Sequence, residues 1–168
     1  ADSIQRQINN TASGIREITG QSEVYLRPPY GSYNSTVRSY ASGPIIMWNV
    51  DTLDWKYKNA ETVKNRILRD ARDGAIILLH DIHSTTVDGA IMAIDEMLAQ
   101  GYEFTTVSEL LRRRGITAEN GGVYASAPNR GVNLPGNSKP YDGADFDESR
   151  LETHWAYASI QFVREREL

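Results

Sequence analysis

Ala75-Ile76-Ile77-Leu78-Leu79-His80-Asp81-Ile82-His83 runs from five consecutive apolar residues straight into two histidines and an aspartate. An unbroken apolar run of this length is expected of a strand buried on both faces, as in a parallel sheet. Its abrupt end places His80, Asp81 and His83 at the strand's C-terminal edge. The same pattern occurs twice upstream. Ile45-Ile46-Met47-Trp48-Asn49-Val50 follows Gly43-Pro44 and ends in Asp51-Thr52-Leu53-Asp54-Trp55, while the shorter run Val24-Tyr25-Leu26 ends in Arg27-Pro28-Pro29-Tyr30-Gly31. Downstream, Glu103-Phe104-Thr105-Thr106 is predicted to form a fourth strand.

Helical periodicity fills the gaps between these runs. Asp2 is a candidate cap for a helix with Ile4, Ile8, Ala12, Ile15 and Ile18 on one stripe and Gly20 as its stop. Asn59 can open a second helix, with Val63, Ile67, Leu68 and Ala71 inward and Gly74 at its end. A third, with Ile91, Ile94, Met97 and Leu98 inward, stops at Gly101, and Thr106-Val107-Ser108-Glu109 reads as a capping box for a last helix ending at Gly115. Alternating strands and helices imply a parallel α/β sheet, whose ligands gather at the carboxyl ends of the strands. Residues 1–115 make up this unit. From 116 to 168 the chain turns to Gly, Asn, Pro and Ser and reads as an irregular extension, with a weak helical signal from Glu148 to Leu168.

Composition narrows the function. The 168 residues, 40% hydrophobic and 24% charged, suit one globular domain. A net charge of -4, with basic residues scattered apart from Arg112-Arg113-Arg114, offers no cationic face for nucleic acid. No apolar stretch reaches the roughly 20 residues of a membrane span. With no cysteine, thiolate nucleophiles, disulfides and Cys-based zinc sites are excluded.

His80 leads the candidate chemistry, because histidine ordinarily exchanges a proton near neutral pH. The alternative is a buried structural histidine, which would rarely be followed by Asp81 and His83 at a strand end. A metal site of His80 with His83 is the weaker reading, since strand side chains share a face at every second residue and these two are three apart. Asp54 could orient an imidazole and favour its charged form, or sit in a solvated turn. Asp51 reads as a turn residue bonding its own backbone, and Trp48 as core. Arg27-Pro28-Pro29-Tyr30-Gly31 is a rigid turn able to aim a backbone amide at an oxyanion, with Arg27 free to hold a carboxylate; taken singly, such turns are usually structural. Ser84 beside His83 lacks the G-x-S-x-G elbow of a serine hydrolase.

In this order, Leu26-Arg27-Pro28-Pro29-Tyr30-Gly31, Asp51-Thr52-Leu53-Asp54-Trp55 and Leu78-Leu79-His80-Asp81-Ile82-His83 resemble the third, fourth and fifth motifs of the NodB-like polysaccharide deacetylases, carbohydrate esterase family 4. The resemblance covers residues 1–115 and is nearest to bacterial peptidoglycan N-acetylglucosamine deacetylases. It implies the C-terminal part of a distorted (β/α) barrel, and hydrolytic deacetylation of an N-acetylhexosamine polymer at a bacterial cell envelope or outside the cell. It implies His80 as general acid, Asp54 as the carboxylate that tunes it, and Arg27 as holder of the catalytic base. Tyr30 would offer its backbone N–H to the oxyanion, and Trp55 and Leu78 would line the acetate pocket.

One departure is large. The family's T-F-D-D-G-P and H-x-x-x-H-P segments, which supply the base and the ligands of a divalent metal, usually zinc, do not occur in this sequence. His154 cannot replace two ligands at helical spacing. About four strands also fall short of closing a barrel. The expectation is a chain that carries no metal ligands and is inert alone, completed by an upstream segment bearing the metal and base. An O-acetyl xylan esterase of the same family and a non-catalytic carbohydrate-binding fragment are the rival readings.

Overall fold

The computed structural model describes residues 2–128, so the expected helix at Glu148–Leu168 and His154 lie outside the described residues. Helix α1 covers Asp2–Thr19, with Asp2 inside its first turn, and stops at Gly20, whose φ of 70° and N–H bond to the Arg16 carbonyl close the last turn. After a 3-10 turn at Pro29–Gly31 come α2 (Ser35–Tyr40), β1 (Ile45–Ile46), β2 (Val50–Asp51), α3 (Asp54–Tyr57) and α4 (Ala60–Asp70). The described chain ends with β3 (Ile77–Leu78), α5 (Ser84–Ala99), α6 (Val107–Arg113) and β4 (Val123–Tyr124).

The apolar run at 76–79 lies between two hydrophobic layers, and successive residues serve opposite ones. Ile76 and Leu78 join Ala41, Ile45, Ile46, Met47 and Trp48, a layer also packed by Val107 and Leu110 of α6. Ile77 and Leu79 turn the other way, onto Val63, Ile67 and Ala71 around α4 and Ala93 and Met97 of α5. Burial on both faces is the reason the run shows no polar alternation. Strand β2 pairs parallel with β3, Val50 opposite Ile77 and Asp51 opposite Leu78. Strand β1 pairs parallel with β4 and bridges Leu26 on its other side.

Several sequence expectations change. The predicted strand at 103–106 does not form, and Phe104 is left exposed. The run Ile45–Val50 is divided: Ile45 and Met47 donate to the carbonyls of Gly122 and Tyr124, and Asn49 and Val50 to that of Ile76. Residues 122–124 thus occupy the stretch of this edge that β3 does not reach. They belong to residues 116–128, the described part of the stretch expected to be an irregular extension. Arg38 Nε donates to the Gly121 carbonyl at 3.0 Å, and Arg114 holds both the Ala127 carbonyl and Asp73. Gly74 does not cap α4, which ends at Asp70. At φ 75° it lies where an added Cβ would stand 2.0 Å from the Ala127 carbonyl oxygen, so only glycine lets the two backbones meet.

The inward face of α5 also differs. Ile91 and Leu98 are about half exposed, while Thr86, Gly89, Ala90, Ala93 and Met97 are buried. Periodicity alone favours the largest residues, but close approach to α4 demands small ones. A Cβ on Gly89 would lie 2.5 Å from the Ala60 carbonyl oxygen and 2.8 Å from Val63 Cβ. Helix propensity favours Gly89→Ala by about 1 kcal/mol, whereas pushing two packed backbones apart costs about 3 kcal/mol. The expected net loss is about 2 kcal/mol, read from the urea midpoint of unfolding.

Candidate active site

The parallel register of β2 and β3 brings the loops that follow them to one edge. Thr52, fully buried, ties the two together by donating Oγ1 to the Leu78 carbonyl at 3.0 Å. Asp51 Oδ1 accepts the Leu53 N–H at 2.9 Å, the side-chain turn expected of it. Leu53 follows in the left-handed region, φ 50°, and turns the chain into α3, whose first residue is Asp54.

Asp54 has no exposed surface, yet every donor around it is accounted for. Oδ2 accepts the His80 backbone N–H at 2.6 Å and the Thr86 hydroxyl at 2.9 Å. Oδ1 faces His80 Nδ1 at 2.8 Å. Burial alone would push the Asp54 carboxyl up, but the hydrogen bonds from the His80 ring and backbone, the ring's charge and the Thr86 hydroxyl together hold it below its ordinary value. An ionised carboxylate only accepts, so His80 Nδ1 carries the hydrogen and Nε2 is the atom that exchanges protons. Asp51, close by, is displaced the other way, chiefly by burial and then by the Asp54 charge, against the pull of the Leu53 N–H.

The other expected residues surround this pair at differing removes. Leu78, buried, lies directly opposite Asp51 in the ladder and two residues before His80. Trp55 follows Asp54 on α3 and is half-buried. Arg27 Nε donates to the Ile46 carbonyl at 3.3 Å, which fixes it to β1, and among the described residues no carboxylate forms an ion pair with it. Tyr30 adopts φ 58° and Gly31 φ 68°, so the turn after Pro28-Pro29 is left-handed at two successive residues. A Cβ on Gly31 would meet Met47 Cε and Trp48 Cη2, both at 2.9 Å, and this contact seats the turn on the core. Thr86 was not among the residues singled out from sequence. The available signal was its place in the first turn of a helix that starts four residues after His80.

A divalent metal does not fit the described residues. Asp54 Oδ1 is taken up by His80 Nδ1 and Oδ2 by the His80 backbone N–H and the Thr86 hydroxyl, and no group of three or more His, Asp or Glu side chains among the described residues is placed to hold an ion.

Comparison with known proteins bears on the family and the fold. Residues 1–43 match the polysaccharide deacetylase family model. The peptidoglycan-N-acetylglucosamine deacetylase PgdA of Listeria monocytogenes is 44% identical over 107 residues, 64% of this chain and 23% of PgdA. The structure of the peptidoglycan deacetylase PdaC from Bacillus subtilis aligns with a TM-score of 0.61 at 40% identity, covering 64% of this chain and 54% of that one. A family 4 acetyl xylan esterase from Clostridium thermocellum, solved with a cobalt ion, aligns with a TM-score of 0.70 at 27% identity, covering 76% and 64%. These solved structures are family 4 domains of the NodB type, and the mixed helices and parallel strands of this chain are consistent with part of such a distorted barrel. The matches support placing the chain with the NodB-like polysaccharide deacetylases of carbohydrate esterase family 4. It spans about a quarter of the length of the curated PgdA and PdaC relatives, 23% and 22%.

Proposed function

We propose that this chain supplies the general acid and the acyl-side wall for hydrolytic N-deacetylation of an N-acetylhexosamine polymer of the peptidoglycan or chitin type. The observation that carries the reading is the fully buried Asp54 carboxylate gripping both the ring and the backbone of His80 at the carboxyl ends of two paired strands. With Nδ1 committed to Asp54, His80 gives the proton on Nε2 to the departing amine as the acetamide C–N bond breaks. Asp54 stays ionised and stabilises the charged ring before that transfer. Tyr30 presents its backbone N–H to the developing oxyanion, in a turn held rigid by Pro28-Pro29 and Gly31. Arg27 holds the carboxylate of the base, and Trp55 and Leu78 enclose the acetate methyl group.

The base and a divalent metal, zinc in this reading, belong to a segment upstream of this chain and outside the described residues. The enzyme acts at the bacterial cell envelope or outside the cell; among the described residues no helix is long and apolar enough to cross a membrane. The likeness to the Clostridium thermocellum acetyl xylan esterase favours a second reading, in which the leaving group is a sugar hydroxyl rather than an amine.

Acetate release from chitooligosaccharide and from acetylxylan separates the two. The chain mixed with its upstream segment is expected to release acetate from the chitooligosaccharide at least tenfold faster, and the chain alone from neither. Turnover by the isolated chain contradicts the division of the site. A preference for acetylxylan replaces the amide substrate with the ester.

A further inference from the structure

Thr86 stands beneath the acid in an arrangement that helix formation does not require. A buried threonine in a helix commonly satisfies its hydroxyl on a carbonyl one turn back along its own chain. Thr86, 1% exposed, instead donates sideways from α5 to Asp54 Oδ2 at 2.9 Å. Its backbone N–H meanwhile bonds the His83 carbonyl at 2.9 Å, so the loop carrying His80 winds directly into the turn that carries Thr86. Three segments therefore converge on one carboxylate: α3 through Asp54, the loop after β3 through His80, and α5 through Thr86.

Two of the three donors to Asp54 come from His80 itself. Among the described residues, Thr86 is the one side-chain donor to this carboxylate that belongs to neither member of the pair. Its β-branched side chain has few rotamers, and the close contact of Gly89 with Ala60 and Val63 fixes α5 against α4, so the hydroxyl is held from a rigid base.

We propose that Thr86 is a positioning residue for the deacetylation, holding the Asp54 carboxylate in register with the His80 ring so that Nδ1 keeps its hydrogen and protons pass only through Nε2. The proposal rests on the reading of His80 as the acid. It goes further by giving α5 control over the acid's orientation. Removing the hydroxyl also takes a stabilising bond from the ionised carboxylate, so the acid limb of the rate profile moves to higher pH.

The test combines the His80 ring signals in nitrogen-edited NMR of the 168-residue chain with turnover of the enzyme completed by its upstream segment. In Thr86→Val, nearly isosteric without the hydroxyl, the Nδ1–H of His80 is expected to exchange with water faster. In the completed enzyme kcat should fall about tenfold, the scale of one hydrogen bond to a charged group, with KM within about twofold and the acid limb displaced upward. Thr86→Ser should restore all three. Should Thr86→Val fail to fold, Thr86→Ala carries the same expectation. An unchanged ring signal and acid limb in a folded Thr86→Val or Thr86→Ala overturns the proposal, as does an equal loss in Thr86→Ser, which would make the contribution one of packing. If the completed wild-type enzyme releases no acetate, the functional reading fails, and the ring signal still decides whether Thr86 positions His80.

Discussion

Asp54→Asn is expected to lower turnover of the completed enzyme by about 10⁴-fold, because it inverts the hydrogen on the His80 ring. Only one oxygen remains in the amide. The arrangement that satisfies most groups keeps that oxygen on the His80 N–H and the Thr86 hydroxyl and turns the amide NH₂ toward Nδ1. His80 Nδ1 must then accept, its hydrogen moves to Nε2, and the ring can no longer carry its charged form beside an anion. The fold loses less than the chemistry: about 2 kcal/mol, the worth of charge-assisted bonds that become neutral.

The same substitution has a pH signature. The Asp54 carboxyl sits below its ordinary value in the folded chain, so the unfolded chain binds its proton more readily. The stabilisation from Asp54 is therefore fully present above the unfolded value of about 4 and is lost as pH falls through the folded one. Urea midpoints of the wild type should drop over that acid range by more than those of Asp54→Asn. Equal slopes would mean that the carboxylate is not held ionised by His80 and Thr86.

What could be read from sequence was mostly local. Asn59 accepts the Thr62 N–H and Thr106 the Glu109 N–H, as their positions before helical stripes implied, because a cap depends on a few neighbouring residues. The capping box is half made, since the Glu109 carboxylate turns to Arg112 and Arg113. The non-local features were harder. Residues 103–106 have strand-like composition but gain no strand partner among the described residues, whereas Val123–Tyr124, amid glycines, find one in β1 almost 80 residues upstream. Small residues on α5 are invisible to a count of apolar mass, although they decide how near α4 can come. Within the site, two polar strand ends in a parallel sheet made an Asp54–His80 contact one of two readings, the other being a solvated turn, and the structure shows the contact. The Thr86 hydroxyl did not, because a threonine in a helix carries no sign of which acceptor it will choose.

The measurement that bears most directly on the proposed role is turnover and metal content of the completed enzyme carrying His80→Ala. Removal of the acid should lower kcat by at least about 10³-fold, the middle of the range for a positioned proton donor, while the metal-to-protein ratio stays at the wild-type value. Retained turnover, or loss of the metal together with activity, would contradict the account and make His80 a structural residue in the first case and a ligand in the second.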